Sequence, residues 1–462
     1  MLQRFGKWRQ IIYANGNGGF SLLDNLFGVY LVFFFLPPKE SGLTELISNN
    51  PFFLGLTVMG VVIIFGRIID SISDPIIANW SDTSKAKMGR RKFFLITGSL
   101  PFALLSALLF FPPFKTVSNG NALYVAIILG LYFFFYTYFM TPYLALIPEL
   151  SRTHKDRINI VVYQAVFALI GAGIVMMGVP QLWHVFQGMD FFSSKRSLQV
   201  ALALAAFIGF ISMFVSGLVI DEKKYTKSEP SDVKLFESIK MTLKNRIFLI
   251  YLFPTILYWF SFNIIRTIIA YYPIVLLEKD AGFQTLLMAA LFGAAAICFI
   301  VISLLSSVIS NKAFMLFGLL SFSIFMSLGY FVDLLGQYRV IAGLIHMALL
   351  GIPVAILLII PNAIVSDISE VDGYRSGEKR EAMFFGTQGL FMKINYGIAA
   401  AIVTYLFAVF GKDIANPLGV KLAGPVAAVF CLVGFLIFLM YPQKEVVEEL
   451  EKIRAEQAQG ES

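Results

Sequence analysis

Long apolar runs alternate with short polar segments along this chain, and the pattern predicts membrane-spanning helices. A hydrocarbon core about 30 Å thick needs about 20 apolar residues per helix. Twelve runs approach or exceed that length: 19–37, 52–80, 93–112, 122–147, 159–186, 197–220, 246–276, 282–306, 312–334, 338–366, 383–410 and 421–441.

A longer polar segment, 221–245, divides these runs six plus six. Apolar positions on one side of its second part predict an amphipathic helix along the cytoplasmic face. We therefore expect an all-α membrane protein with twelve transmembrane helices in two six-helix bundles, 1–220 and 246–441, and a cytoplasmic tail at 442–462. No internal repeat is evident beyond the matching number of runs in the two halves.

The composition favours a polytopic membrane protein. The 462 residues are 58% hydrophobic and 14% charged, which is too apolar for a soluble multidomain protein. Cys298 and Cys431 lie in apolar runs, which argues against a disulfide scaffold or a cysteine metal site. The formal charge of +7 comes with basic residues in short loops, so it indicates positive-inside topology and not nucleic-acid binding. We expect a multi-pass protein of the cell inner or plasma membrane, with both termini cytoplasmic.

The second run carries three charged side chains on one helix face, Arg67, Asp70 and Asp74, followed by Pro75. A charge at bilayer depth costs about 2.5–3.5 kcal/mol on insertion scales, so such residues usually face a cavity and mark an ion or substrate path. Two carboxylates against one guanidinium leave a negative charge. This predicts a site for a mobile cation, with the Ser73 hydroxyl nearby. The alternative is a structural Arg67–Asp70 pair.

Two separated sequence blocks resemble the signature of one family. They read DPIIANWSD at 74–82 with GRRKFFLI at 89–96, and SDISEVDGYRSGEKREAMFFG at 366–386. They resemble the glycoside–pentoside–hexuronide:cation symporters, the family of the melibiose permease, although Ala78 and Phe93 replace the usual glycine and proline. The resemblance covers essentially the whole chain, and it implies the major facilitator fold and cation-coupled transport.

The resemblance also implies roles for particular side chains. In the family, helix-two carboxylates and a helix-four threonine bind the coupling sodium, lithium or proton. By position these are Asp70, Asp74 and Thr137, with Ser73 where the permease has asparagine. The family lysine of helix eleven matches Lys393, which is expected to bridge carboxylates or contact substrate.

The sugar-binding positions of the family match less well. The positions of two aspartates, a tryptophan and an arginine hold Ser21, Met140, Leu144 and Gln164 or Ala165. Tyr136 is retained, Asp24 is a candidate replacement for the first aspartate, and Gln164 remains a substrate-binding candidate. We therefore expect a substrate other than a melibiose-like galactoside.

One intramembrane charge has no counterpart in the family pattern. Arg266 lies well inside the seventh run, with Asn263 one turn earlier. A guanidinium suits carboxylate or phosphate geometry, so Arg266 and Lys393 together predict an anionic or zwitterionic substrate. The alternative is that Arg266 is a structural partner for Asp24 or Asp70.

Charged residues at the cytoplasmic ends of the runs form two clusters without a catalytic pattern. We interpret them as salt bridges that keep the inner side closed in the outward-open state and break as the halves rock. For the lysines of these loops, the alternative is a solvated positive-inside loop. The predicted gate and motif residues are Arg67, Asp82, Gly89, Arg90, Arg91, Asp367, Asp372, Arg380 and Glu381.

Other functions are alternatives at this point. A membrane enzyme would need a nucleophile–base pair or a metal cluster, but His154, His184 and His346 belong to no such motif. A receptor would need a signalling domain, which the short tail does not offer. Sodium-dependent lysophosphatidylcholine symporters share the family pattern but lack its sugar-binding side chains. A lysophospholipid, or another amphipathic or anionic solute, is therefore the alternative substrate.

The sequence thus predicts a cation-coupled symporter, using Na⁺ or H⁺, that moves a small organic solute by alternating access. A sugar, glycoside or uronate is the expected solute class. No cofactor is expected beyond the coupling ion, no metal site, and no enzymatic activity. The expected partners are the solute and the lipid bilayer, not nucleic acid, and a monomer is expected to suffice.

Overall fold

The computed structural model describes residues 5–53, 55–151, 153–189, 193–225, 242–306, 308–376 and 381–460. Within these residues nearly every element is a helix, apart from a short antiparallel pair, β1 (Pro51–Phe53) and β2 (Leu56–Thr57). The predicted amphipathic helix of the central segment falls largely on 226–241, outside the described residues.

The helices of the first half follow the predicted apolar runs. They are α1 (Lys7–Phe35), α2 (Val58–Thr83), α3 (Lys92–Leu108), α4 (Asn119–Leu150), α5 (His154–Gly173), α6 (Val179–Gln187), α7 (Ser194–Leu218) and the short α8 (Glu222–Tyr225). A π-helical turn, Ile174–Gly178, joins α5 to α6, so these two helices form one span.

The second half repeats this arrangement of long apolar helices. They are α9 (Arg246–Ile268), α10 (Phe283–Leu305), α11 (Asn311–Leu328), α12 (Arg339–Ser376), α13 (Glu381–Phe410), α14 (Leu418–Phe438) and the tail helix α15 (Gln443–Gly460). A π-helical turn at Tyr272–Leu276 follows α9, and the 3₁₀ segments Gly329–Phe331 and Asp333–Tyr338 lead into α12.

Ten helices of the described chain are long and apolar enough to cross a membrane. The two remaining predicted runs correspond to α2, which carries the charged stripe, and to α3, which has 17 residues. The all-α membrane class is therefore confirmed, and the count of twelve spans stays a prediction.

Hydroxyl side chains define where several helices begin. Thr57, Ser118, Thr153, Ser193 and Ser310 each accept a hydrogen bond from a backbone N–H in the first turn of the following helix. An N-cap of this type satisfies a donor that the helix itself leaves open. Polar residues at the ends of apolar runs thus set the helix boundaries.

The first compact unit comprises Met1–Ser231, Arg266–Met288 and Ala400–Val420. In it α1 packs against α5 and α7, α2 against α4, and α3 against α4 and α7. Glycine permits the close approach of α1: a Cβ on Gly19 would lie 2.5 Å from the carbonyl oxygen of Gly209. We call the side that carries residues 36–57 the outer side, following the positive-inside expectation.

The second compact unit comprises Asp232–Ile265, Ala289–Ala399 and Lys421–Ser462. Here α11 packs on α12, and the tail helix α15 packs on the end of α12, where Arg375 forms an ion pair with Glu445 at 2.8 Å. The predicted bundles, 1–220 and 246–441, follow chain order and stay a prediction.

One polar contact recurs in both halves. The Lys92 ammonium at the start of α3 donates to the carbonyl oxygens of Leu218 and Ile220 at 3.3 and 2.6 Å. The Lys312 ammonium near the start of α11 donates to those of Leu439 and Tyr441 at 2.8 and 2.7 Å. A cation beside the terminal carbonyls of a helix is favourable. The two halves thus share this contact, although their residue patterns show no repeat.

Candidate functional site

The charged stripe of α2 lies in the interior of the first unit. Asp70 is fully buried, and Arg67 is 7% exposed. The Arg67 guanidinium donates to Asp70 Oδ2 at 3.3 Å, one turn away along the helix. The geometry of the predicted structural pair is therefore present.

A second helix supplies a ligand for the same carboxylate. The Thr137 hydroxyl of α4 donates to Asp70 Oδ1 at 2.8 Å, and Thr137 is itself buried. Carboxylate and hydroxyl oxygens from two helices thus lie together at Asp70. Packing of α2 against α4 brings together two residues that lie far apart in sequence.

Two aromatic rings hold the Arg67 side chain in place. The guanidinium carbon lies 4.4 Å from the ring centroid of Phe133 and 5.5 Å from that of Phe27. Such cation–π contacts stabilise a guanidinium in a site shielded from water. Arg67 therefore has a fixed position beside the carboxylate.

Ser73 and Asp74 continue the stripe toward the cytoplasmic end of α2. The buried Ser73 hydroxyl donates to the Ile69 carbonyl oxygen at 2.7 Å, so its oxygen retains acceptor capacity. Asp74 lies one turn beyond Asp70 and is partly buried. Carboxylate and hydroxyl oxygens are suitable ligands for a hard cation.

A second buried charge pair lies in the same unit. The Arg266 guanidinium donates to Asp24 Oδ2 at 2.7 Å and also to the Asp24 carbonyl oxygen. Arg266 was interpreted either as a group that binds an anionic substrate or as a structural partner of Asp24 or Asp70. This geometry matches a structural pair with Asp24. Tyr136 is partly buried, and its ring centroid lies 4.6 Å from that of Phe20 and 5.9 Å from that of Phe133, the ring that also contacts Arg67.

The other substrate-binding candidates are distributed over both units. Gln164 is buried in α5, where its backbone carbonyl accepts a hydrogen bond from Asn17 at 3.0 Å. Asn263 is buried on α9, and Lys393 is partly buried on α13. The last two belong to the second unit.

The first predicted gate cluster joins three helices of the first unit. Arg91 Nη2 pairs with Asp82 at 2.7 Å, and Arg91 Nη1 and Arg90 pair with Glu149 at 2.6 and 3.0 Å. Gly89, with φ +124°, adopts a backbone conformation that favours glycine. The cluster connects α2, α3 and α4, and its role as a gate stays a prediction.

Two residues of this cluster were missed by the sequence analysis. Glu149 lies in the last turn of α4, which ends at Leu150, and pairs with both Arg90 and Arg91. Glu222 of α8 accepts hydrogen bonds from the backbone N–H groups of Arg91 and Lys92, where the N-terminal end of α3 favours a negative charge. The available signal was a carboxylate at the cytoplasmic end of an apolar run.

The second predicted gate cluster is described only in part. Asp367 accepts a hydrogen bond from Asn311 at 3.2 Å, and Asp372 accepts one from Asn245 at 2.9 Å. Arg380 and the side chain of Glu381 lie outside the described residues. Elsewhere in the described chain, no group of three or more His, Cys, Asp or Glu side chains could hold a metal ion.

Comparison with known proteins identifies the family. The family model described as "MFS/sugar transport protein" matches residues 12–445. The chain belongs to this family. It is 22% identical to a Synechocystis protein named "Uncharacterized symporter sll1374", over 94% of this chain and 93% of the relative. It is also 22% identical to the "Raffinose carrier protein" of Pediococcus pentosaceus, over 88% of this chain and 63% of that relative's length.

Solved structures show the same fold. A bacterial homologue of the human lysosomal transporter Spinster superposes with a TM-score of 0.66 at 10% identity, covering 96% of this chain and 97% of the other. The Escherichia coli fucose:proton symporter superposes with a TM-score of 0.52 at 16% identity, covering 94% and 98%.

These comparisons confirm three predictions from the sequence. The chain has the major facilitator fold, it is related to the sugar/cation symporters, and it is a multi-pass membrane transporter, not an enzyme. The coupling ion, the solute and the roles of the individual site residues stay predictions.

Proposed function

We propose that this protein is a cation-coupled symporter, driven by Na⁺ or H⁺, for a solute of the sugar, glycoside or uronate class. In this proposal the cation binds at Asp70 and Asp74 with oxygens from Thr137 and Ser73. Cation and solute enter from the outer side and leave to the cytoplasm by alternating access. The protein acts as a monomer with both termini cytoplasmic.

The oxygen groups around Asp70 are the observation that carries the proposal. The Asp70 carboxylate is fully buried and accepts a hydrogen bond from the Thr137 hydroxyl of α4 at 2.8 Å, and the buried Ser73 hydroxyl and Asp74 follow about one turn later on α2. Ionisable side chains inside a membrane protein mark ion or substrate paths, and carboxylate and hydroxyl oxygens suit a hard monovalent cation.

The membrane potential can supply the driving force. One positive charge crossing 100 mV releases about 2.3 kcal/mol, which corresponds to about fifty-fold accumulation of a neutral solute carried with it. A concentration gradient of the same ion adds to this. Obligatory co-transport therefore needs a cation site of the kind that Asp70 and Asp74 offer.

The solute class is supported by the family and by its relatives. The family description names sugar transport, and one relative is named as a raffinose carrier. These names favour a carbohydrate over the lysophospholipid alternative. The side chains with which the family binds a galactoside are replaced at two of these positions. At the first, the Ser21 hydroxyl donates to the Ala168 carbonyl oxygen at 2.8 Å, and at the second stands the apolar Leu144. A carbohydrate other than a melibiose-like galactoside fits these replacements.

Asp70→Asn and Asp74→Asn test the cation site. The assay uses proteoliposomes and a sugar or uronate that a binding screen has identified. Each variant is expected to lose ion-driven accumulation of this solute. It should keep part of the exchange of internal for external solute, which needs no net cation movement. Asp280→Asn is the matched control, since Asp280 has a side chain that is 57% exposed and lies outside the site.

Running the assay with a Na⁺ gradient at clamped pH, and with a proton gradient without Na⁺, identifies the coupling ion. Full uphill uptake by both site variants would contradict the proposal, as would wild-type uptake that responds to neither gradient.

A further inference from the structure

The Arg266 guanidinium lies directly on the surface of α1, where glycine leaves room for it. A Cβ added at Gly28 would collide with the guanidinium carbon and Nε of Arg266. Gly28 lies one turn after Asp24, which pairs with the same guanidinium at 2.7 Å. The ion pair is shielded, with Arg266 9% and Asp24 20% exposed. These three residues form what we call the α1 notch.

The α1 notch lies where α9 passes from one compact unit to the other. Ile265 is the last α9 residue of the second unit, and Arg266 is the first of the segment that clusters with the first half of the chain. α13 makes the same change at Ala400. Four residues later, Thr404 contacts the Thr57 hydroxyl at 2.7 Å. The outer parts of α9 and α13 are thus held by side chains of α1 and α2.

The contacts that hold these outer parts differ in strength. Lys39 pairs with Asp413 at 3.4 Å, but the lysine side chain is 85% exposed, and exposed pairs contribute little to stability. Lys412 pairs with Glu45 at 3.3 Å, with side chains 10% and 37% exposed. The Asp24–Arg266 pair, at 2.7 Å, has side chains 20% and 9% exposed, and removing one partner of a shielded pair is costly. Among these three ion pairs, loss of the Asp24–Arg266 pair should therefore matter most.

We infer that the Asp24–Arg266 pair, seated on Gly28, is a latch that positions the outer part of α9 on α1 and must separate whenever the outer side opens. The inference rests on the proposed function, because a latch of this kind acts only in a carrier that alternates.

Labelling at the outer side tests the latch without any transport assay. Thr404→Cys, in a background with Cys298 and Cys431 replaced by alanine, reports opening through its reaction with a membrane-impermeant maleimide. Asp24→Asn, Arg266→Gln and Gly28→Ala are each expected to raise the labelling rate several-fold. Lys39→Gln, which removes one charge from an exposed pair, is the control and should label at the parental rate.

The double variant Asp24→Asn/Arg266→Gln decides whether the two residues act as a pair. If the two residues act as one latch, the double variant should be labelled no faster than the faster of the two single variants. If they act independently, the increases in labelling rate of the two single variants should multiply in the double variant. Multiplied effects, or unchanged labelling in all three single variants, would overturn the inference. If a charge variant does not give a monodisperse protein, Gly28→Ala, which keeps both charges, decides alone. If the wild-type protein shows no ion-driven uptake, the proposed function is refuted, and the labelling results stay as measured.

Discussion

At the scale of single residues, the buried Asp70 carboxylate accepts hydrogen bonds from the Arg67 guanidinium, one turn away on α2, and from the Thr137 hydroxyl on α4. The spacing of Arg67 and Asp70 follows from helical geometry alone. The contact with Thr137 is expected only through the family resemblance, because nothing local relates α2 to α4. For Arg266 the residue pattern left two interpretations open, and the pairing with Asp24 appears only in the folded chain.

Thr137→Val removes one donor from Asp70 while nearly preserving the side-chain shape. A buried carboxylate oxygen that loses its donor costs about 1–3 kcal/mol, and the cation site loses one oxygen ligand at the same time. We expect the apparent affinity for the coupling ion to fall at least five-fold, measured as the ion concentration that gives half-maximal uptake. Thr137→Ser keeps the hydroxyl and should remain close to wild type. An unchanged ion affinity in Thr137→Val would exclude Thr137 as a ligand.

At the scale of elements, the start of α3 depends on charges from several helices. Arg91 contacts Asp82 of α2 and Glu149 of α4, and its own backbone N–H donates to Glu222 of α8. The basic motif was recognised from the sequence, but its acidic partners on α4 and α8 were not. Helix limits follow from local patterns and caps, whereas the partner of an end-of-helix charge depends on which helix ends meet.

Arg91→Gln should destabilise the first unit. It removes the cation that Asp82 and Glu149 share, while Arg90 still pairs with Glu149 at 3.0 Å. Removing one partner of a fully buried pair costs about 3–5 kcal/mol. Because Arg90 remains and the Asp82 side chain is 38% exposed, we expect a smaller loss, of about 1 kcal/mol. Thermal unfolding in detergent, compared with the exposed Lys87→Gln, measures the effect. A loss no larger than that of Lys87→Gln would show that the cluster contributes little to stability in this conformation.

At the scale of the whole molecule, alternating access requires the outer side to open and close. The Thr57 and Thr404 hydroxyls, 2.7 Å apart within the first unit, provide a place to block that movement. The Lys92 and Lys312 ammonium groups make the same kind of contact with helix-terminal carbonyl oxygens in the two halves. Backbone carbonyls leave no residue signature, so the residue pattern does not show this likeness.

A Thr57→Cys/Thr404→Cys variant should form a disulfide on oxidation, because the two side chains already meet. The cross-linked protein is expected to lose nearly all solute uptake and to regain it after reduction. Each single-cysteine variant, treated in the same way, is the control. Uptake at the uncross-linked rate would mean that α2 and α13 need not separate on the outer side during transport.

The sequence by itself determined the membrane class, the positions of the long helices, and the charged stripe on α2. Each of these depends on local hydrophobicity and helical periodicity, which neighbouring residues decide. Tertiary structure alone decided which partner each buried charge takes: Asp24 for Arg266 and Glu149 for Arg91. It also decided that α15 docks on α12. These pairings join positions far apart in the chain, and only the packing of the helices brings them within hydrogen-bonding distance.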